Sequence, residues 1–251
     1  MPSQWKIAAL GALGGAVIAI AVVFGAASFG YFPTARVDGR QVRAYLLRNP
    51  QIFAEMQERY AAQQENQEDV AEKARQMAVD TATLKTFFDP NVAYVSGPAN
   101  AKASLVEFFD YNCVHCRNTF PTIKAFYEAH KDSARFAFID FPIFGKDSTA
   151  AARAAVAARR QGDKYIALSF AMMGYSGPID ADALKQCEEA AGLDMAKLQA
   201  DLKDPAIDKT LAAARALARR VAFDGTPTFI ANGKVHSGEI DADTLTAMTG
   251  G

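Results

Sequence analysis

Two cysteines separated by two residues stand directly after an apolar, strand-like segment. Residues 104–110 are Ser-Leu-Val-Glu-Phe-Phe-Asp, and Cys113-Val114-His115-Cys116 follows shortly after. Apolar side chains then recur at helical spacing to about residue 131, and residues 135–141 return to a strand pattern. This order predicts a βαβ unit, in which two parallel strands are joined by a right-handed helical crossover.

The position of the cysteine pair at the start of a helix favours redox chemistry. Unpaired amide N–H groups and the helix dipole stabilise a thiolate there, and they lower a cysteine pKa from about 8.5 to between roughly 3.5 and 7.5. Cys113 is therefore the predicted nucleophile. Cys116 lies one turn later on the same face and can resolve a mixed disulfide, while His115 can stabilise the thiolate and make the disulfide more oxidising.

Metal binding by the same motif is the competing interpretation. A structural zinc site needs two further ligands, and the candidates Cys187, His130 and His236 are scattered singly. Cu(I) held by the two thiolates is the better metal alternative. We expect no zinc site and no cofactor, and we interpret Cys187 as an inert, buried thiol.

Composition excludes two other classes of protein. The chain has 27 basic and 28 acidic side chains, so it lacks the concentrated positive field that nucleic-acid binding requires. Three cysteines are too few for a small disulfide-stapled protein.

The N-terminal segment is long and apolar. Residues 7–35 contain no charged side chain, and about 20 apolar helical residues cross a bilayer. Residues 1–36 are therefore predicted to form an uncleaved transmembrane anchor. A cleaved signal peptide is the alternative, because small residues around positions 19–21 and 25–27 could be recognised by a peptidase. Both interpretations place the rest of the chain outside the cytoplasm.

Residues 37–88 are predicted to form a helical stalk. The segment has mixed charge, and Pro50 suits the first turn of a second helix with a coiled-coil-like apolar seam. Such a seam could make the stalk a homo-oligomerisation element. The alternatives are an amphipathic helix folded back on its own domain and a mobile linker.

The remaining residues, 89–251, are predicted to form the catalytic domain. Residues 147–220 are alanine-rich with little strand signal, so we expect an all-helical insertion, with helix starts near Asp180 and at Asp204-Pro205. Residues 228–231 and 234–237 then predict a β-hairpin around Asn232-Gly233, followed by a short helix at 241–248.

Three motifs together resemble a known family. Residues 107–116, 140–143 and 225–229 are Glu-Phe-Phe-Asp-Tyr-Asn-Cys-Val-His-Cys, Asp-Phe-Pro-Ile and Gly-Thr-Pro-Thr-Phe. They are similar to those of the DsbA-like thiol-disulfide oxidoreductases of the thioredoxin superfamily. The stalk looks most like that of the suppressor of copper sensitivity protein C and Com1-type branch. The resemblance implies an α/β fold: a thioredoxin fold with an inserted all-helical subdomain.

The resemblance also implies roles for individual residues. Cys113 matches the attacking cysteine and Cys116 the resolving one of a redox-active disulfide. Thr226-Pro227 matches a loop with a cis proline that leaves the Thr226 backbone free to pair with an extended substrate; an ordinary trans turn is the alternative. Glu107 matches a buried acid with a raised pKa that exchanges the Cys116 proton; a surface carboxylate is the alternative.

The function expected from these features is disulfide exchange with cysteine-containing exported proteins, in partnership with a membrane or periplasmic redox protein. The implied location is the bacterial periplasm, tethered to the inner membrane, or soluble there after signal cleavage. A histidine before the second cysteine, here His115, resembles the motif of the strong oxidants. A threonine before the proline, here Thr226, resembles the loop of the isomerases. The oxidase, isomerase and reductase directions therefore stay open. A Cu(I)-binding or metal-stress chaperone is the alternative. A stalk protein with a decayed redox site is a third, against which the intact motif argues.

Overall fold

The structure, a computed structural model, describes residues 39–250. The predicted membrane anchor at residues 1–36 lies outside this range. Among the residues that are described, no helix is long and apolar enough to span a bilayer. The chain divides into two compact units, with the division between Gln63 and Gln64.

The first unit contains α1 (Gly39–Arg48) and the beginning of α2 (Gln51–Ala78). Neither helix buries a residue, and their apolar side chains remain on the surface, with Tyr45, Leu47 and Phe53 each more than 60% exposed. Asn49 closes the end of α1 by donating a side-chain hydrogen bond to the Tyr45 carbonyl oxygen. The helices start and stop near the predicted positions, because Asn49-Pro50 interrupts one helix and begins the next.

The second unit is a five-stranded sheet surrounded by helices. The elements in chain order are α1 (Gly39–Arg48), α2 (Gln51–Ala78), α3 (Thr81–Phe87), β1 (Tyr94–Ser96), β2 (Ala103–Phe109), α4 (Val114–His130), β3 (Ala134–Asp140), α5 (Lys146–Ala158), a 3-10 turn (Arg159–Gln161), α6 (Lys164–Met173), α7 (Ala181–Ala190), α8 (Met195–Asp201), α9 (Pro205–Arg220), β4 (Thr228–Ala231), β5 (Lys234–Ser237) and α10 (Ala242–Thr249).

The sheet has the order β1-β3-β2-β4-β5, and only β2 and β3 run parallel. The predicted βαβ unit is thus confirmed as β2-α4-β3. Because both faces of β2 are covered, its last five residues are all buried, including Glu107 at the centre of the sheet. Glu107 lies opposite Phe138 on β3 and Phe229 on β4.

Helices α5 to α9 follow β3 and precede β4, as the alanine-rich composition predicts. Alanine covers most of the buried face of α5, and its small side chain lets neighbouring helices approach closely. Asp180 and Asp204 cap α7 and α9 through hydrogen bonds from backbone N–H groups, as expected. Helix α8 is not predicted from the sequence, and neither is the three-residue strand β1, because both are too short to show a period.

The β4-β5 hairpin turns at Asn232 and Gly233, which have φ values of 50° and 82°. Positive φ at both turn positions belongs to the two-residue turn whose twist suits paired strands, so the predicted hairpin is confirmed. This hairpin matters for the site because it begins just after Pro227 and ends two residues before Glu239.

The last turns of α2 belong to the second unit and contact the hairpin. The Gln76 side chain accepts a hydrogen bond from the Val235 N–H at 2.8 Å and donates one to the Gly233 carbonyl oxygen at 2.6 Å. Ser237 donates to Glu72, and Arg75 pairs with Asp224 at 2.9 Å. Because β5 is the last strand of the sheet, these contacts occupy part of an otherwise unpaired edge.

Candidate active site

The cysteine pair lies where β2 leads into α4. Cys113 is the N-cap residue of α4, in an extended backbone conformation, and Cys116 lies in the first turn. Both thiols are free and buried, with Cys113 at 1% and Cys116 at 0% exposure. The backbone N–H of Cys113 donates to the Asp110 carbonyl oxygen at 3.1 Å, which fixes the turn before the helix.

The surroundings of the two sulfurs give them very different pKa values. The pKa of Cys113 is lowered to about 5, chiefly by hydrogen bonding from the Cys116 thiol and further by backbone N–H groups at the helix start. Burial raises the pKa of Cys116 far above its usual value, and the hydrogen bond to Cys113 and the charge of Glu107 act in the same direction. Cys113 is therefore a thiolate at neutral pH, and Cys116 is a thiol.

The loop before β4 covers the first sulfur. The Thr226–Pro227 peptide bond is cis, as the family resemblance implies. The Sγ atom of Cys113 lies 3.2 Å from the Thr226 carbonyl oxygen, although 113 positions separate the two residues in the chain. The Pro227 carbonyl oxygen accepts a hydrogen bond from Gly238 at 2.9 Å, which ties this loop to the end of β5.

Glu107 is 4% exposed and lies in the strand that leads to the cysteines. Burial raises its pKa to about 8, and the negative charge of Cys113 adds to the shift. A carboxyl with a pKa near neutrality can either hold or release a proton under physiological conditions. The surface-carboxylate interpretation of Glu107 is wrong, because β3 and β4 flank its strand on both sides.

His115 lies on the outer side of the motif. Its side chain is 62% exposed, and its Nδ1 atom lies 2.6 Å from Oε1 of Glu239. This hydrogen bond is the largest cause that raises the pKa of His115, and the charge of Cys113 contributes as well.

Apolar side chains surround the entrance to the site. Val114, Ile143 and Phe144 are 60%, 39% and 55% exposed. Val114 and Phe144 line an open groove together with Asn112 and Arg117. Asp110 fixes the backbone at Phe144, which lines the groove. Its carboxylate accepts hydrogen bonds from the backbone N–H groups of Ile143 and Phe144.

Family comparison agrees with this geometry. The thioredoxin family model matches residues 90–249, and the model of the copper resistance protein ScsC N-terminal domain matches residues 39–67. The chain belongs to the DsbA-like oxidoreductases of the thioredoxin superfamily, near ScsC.

Solved structures with the same fold include three that are at least 25% identical to this oxidoreductase. A thioredoxin-like oxidoreductase from Silicibacter pomeroyi is 35% identical, with a TM-score of 0.61 over 67% of this chain and 95% of that one. A periplasmic thioredoxin-like protein from Salmonella enterica serovar Typhimurium is 27% identical, with a TM-score of 0.61 over 68% and 96%. The thiol-disulfide exchange protein α-DsbA2 from Wolbachia pipientis is 25% identical, with a TM-score of 0.65 over 71% and 96%.

Curated relatives match only in part. A Na(+)/H(+) antiporter NhaA from Herminiimonas arsenicoxydans is 29% identical over 160 residues, which are 64% of this chain and 25% of that protein. The oxidoreductase thus spans about a quarter of the curated relatives that it matches, and nothing about ion transport follows for it.

A buried polar cluster supports the strands behind the site. Asp140, at the end of β3, pairs with Arg159 at 2.6 Å and accepts hydrogen bonds from the hydroxyls of Tyr111 and Tyr165. Burial raises the pKa of Asp140, and the Arg159 charge opposes that shift. The cluster joins the β2-α4 turn to the helical insertion, which keeps the cysteine motif in place.

Sequence reasoning did not find every residue around the motif. Glu239 and Arg159 carry no local signal, because each lies in a polar segment far along the chain from its partner. Cys187 is buried and free, and burial raises its pKa. Within residues 39–250, no three His, Cys, Asp or Glu side chains converge to hold a metal ion.

Proposed function

We propose that the oxidoreductase exchanges disulfides with exported, cysteine-containing proteins through Cys113 and Cys116. The observation that carries this proposal is the separation of the two pKa values: lowered to about 5 at Cys113 and raised at its partner. One sulfur is a stable thiolate and a good leaving group, whereas the other keeps its proton until it is needed.

The exchange starting from the oxidised enzyme has balanced steps. A substrate thiolate attacks Sγ of Cys113, the Cys113–Cys116 bond breaks, and Cys116 leaves with the electron pair. Glu107, whose burial favours the protonated carboxyl, supplies a proton to that sulfur. A second substrate thiolate then attacks the substrate sulfur of the mixed disulfide. Cys113 leaves as a thiolate, the substrate gains a disulfide, and the enzyme dithiol has accepted two electrons.

The reverse sequence makes the enzyme a reductase or an isomerase. The Cys113 thiolate attacks a substrate disulfide, and Cys116 resolves the adduct after Glu107 has taken its proton. The backbone of Thr226 and the apolar groove beside Val114 are the surfaces proposed to bind the extended substrate. The Thr226 carbonyl oxygen lies 3.2 Å from the Cys113 sulfur, and the groove is lined by Asn112 and Val114, which flank Cys113 in the chain.

Helices α1 and α2 are proposed to join several catalytic domains in one assembly. Their exposed apolar residues and the ScsC N-terminal domain match at residues 39–67 support this role. An assembly raises the effective concentration of active sites around one misfolded chain, which favours isomerisation. The proposed location is the periplasm, with residues 1–36 as the membrane tether and a membrane or periplasmic redox protein as partner.

Trapping tests the proposed chemistry. In Cys116→Ser the resolving step is lost, so mixed disulfides with exported proteins accumulate and migrate as high-mass, reductant-sensitive bands. Cys113→Ser forms none, and Cys187→Ser is the matched control that leaves turnover of a scrambled test protein unchanged. Cu(I) binding at one ion per chain, with no turnover of reduced or scrambled substrates, would refute the proposal in favour of copper handling.

The direction of the disulfide exchange is measured separately. The reduction potential against glutathione, combined with molar mass from light scattering, distinguishes the roles. A high potential in a monomer identifies a disulfide donor. An assembly whose reduced form refolds a scrambled substrate identifies an isomerase.

A further inference from the structure

A carboxylate from a distant part of the chain holds the histidine of the cysteine motif. Oε1 of Glu239 accepts hydrogen bonds from Nδ1 of His115 at 2.6 Å and from Nδ2 of Asn118 at 2.8 Å. His115 and Asn118 are three positions apart in α4, so their side chains lie on the same face of the helix. Glu239 is 124 and 121 positions away from them.

The backbone around Glu239 is itself fixed. Its carbonyl oxygen lies 2.8 Å from Nε2 of His236, and the preceding residue, Gly238, donates its N–H to Pro227 at 2.9 Å. The following residue, Ile240, is buried at 4% exposure. Glu239 thus lies in the segment directly after the hairpin, and the hydrogen bond from Gly238 ties this segment to the Pro227 loop that precedes the hairpin.

We propose that Glu239 is a positioning residue that keeps the His115 ring charged and oriented beside Cys113, and thereby stabilises the reduced, thiolate form of the enzyme. The inference deepens the proposed disulfide exchange and rests on it. Two charged groups interact with the ring: Glu239 from the hairpin and Cys113 from the start of α4. Asn118 adds a neutral hydrogen bond that holds the carboxylate in place.

The direction of the effect follows from which groups interact. The Glu239 carboxylate interacts with His115 and Asn118, and the negative charge of Cys113 raises the pKa of the His115 ring. Because an interaction between two charges is mutual, a positive ring favours the Cys113 thiolate. Removing the Glu239 carboxylate is therefore expected to affect the Cys113 thiolate mainly by changing the charge of the His115 ring. At about pH 7.5, one unit above the ordinary histidine pKa of about 6.5, a ring without its partner is mostly neutral. The Cys113 thiolate then loses a neighbouring positive charge, and the dithiol becomes less stable relative to the disulfide.

Glu239→Gln in the full-length protein tests the inference, because an amide keeps the shape and can still accept both hydrogen bonds while the charge is lost. We expect a lower His115 pKa by NMR titration. The equilibrium constant with glutathione at about pH 7.5 should move toward the disulfide by about threefold, the scale of an exposed ion pair. The shift should disappear at about pH 5.5, where the ring is protonated in both proteins.

Two further variants show whether Glu239 acts through the ring. In a His115→Ala background, Glu239→Gln is expected to leave the glutathione equilibrium unchanged. Glu128→Gln, an exposed carboxylate elsewhere on α4 that pairs with Lys124, is the control for general charge effects. An unchanged His115 pKa, or an equal shift in the His115→Ala background, would overturn the inference. Either result can occur while Cys116→Ser still traps substrates, whereas loss of trapping refutes the proposed function itself.

Discussion

Replacing Glu107 by glutamine is expected to change how the stability of the reduced protein depends on pH. The folded carboxyl has a pKa of about 8 against an ordinary value of 4.5, chiefly because it is buried. A raised folded pKa means that the native state binds a proton that the unfolded chain has already released. Stability from this group is therefore fully present below about pH 4.5 and falls as the pH rises toward 8.

The size of this loss of stability follows from the pKa shift of Glu107. A difference of about 3.5 pKa units, at 1.36 kcal/mol per unit, corresponds to about 5 kcal/mol lost above pH 8 and about 3 kcal/mol lost at pH 7. Glutamine cannot ionise, so its contribution is independent of pH. The free-energy difference between Glu107→Gln and the wild type should therefore grow with pH and level off above pH 8.

Urea unfolding of the reduced protein at pH values from about 4.5 to about 8.5 measures this difference. Glu128→Gln removes an exposed carboxylate from α4 and is the matched control, whose profile should stay parallel to that of the wild type. Oxidation provides a second check: the disulfide removes the Cys113 charge, so the folded Glu107 carboxyl ionises more easily, and the fall should level off at a lower pH and be smaller in the oxidised protein. Parallel profiles for wild type and Glu107→Gln across the whole range would refute the reasoning.

Three further predictions concern the site and its supports. Cys116→Ala removes the largest cause of the low Cys113 pKa, so the midpoint of Cys113 alkylation against pH should rise from about 5; an unchanged midpoint contradicts that cause. Gln76→Ala removes two hydrogen bonds to β5 and should cost about 1 kcal/mol, with faster hydrogen exchange confined to β5; unchanged exchange argues against docking of α2. Asp140→Ala leaves Arg159 buried and unpaired, so urea unfolding should show a loss of about 3–5 kcal/mol, and a loss below about 1 kcal/mol would contradict the assignment.

Local signals predicted most of the fold. The spacing of apolar side chains located β2, α4 and β3, and Asp204-Pro205 located the start of α9 because capping chemistry acts within a few residues. The turn at Asn232-Gly233 is equally local, since it depends on the backbone freedom of two residues. The family motifs then supplied the pairing of distant segments that periodicity alone does not give.

Contacts between distant polar residues could not be predicted. Glu239 lies in the short segment after β5, and its sequence neighbours give no sign that it meets α4. Arg159 likewise stands among alanines and charged residues that resemble an exposed helix end, although its side chain is only 13% exposed and pairs with the buried Asp140. Such pairs depend on how the hairpin and the insertion pack against the sheet. A periodic pattern of apolar side chains predicts which residues are buried, but it does not predict which polar side chains will pair.

Three parts of the site act on the two sulfurs from different sides. Glu107 lies in the buried strand that leads to them, and its charge, together with the burial of Cys116 itself, opposes ionisation of Cys116. The start of α4 acts on Cys113, whose thiolate its backbone N–H groups stabilise. The exposed His115 ring stands outside and is hydrogen-bonded to Glu239, in the segment after β5. The sulfur that is proposed to meet the substrate is therefore the one whose environment favours the anion, and the proposed resolving sulfur is the one that retains its proton. In the proposed exchange, this asymmetry lets a pair of chemically identical side chains act in sequence, the first as nucleophile and leaving group and the second as resolving thiol.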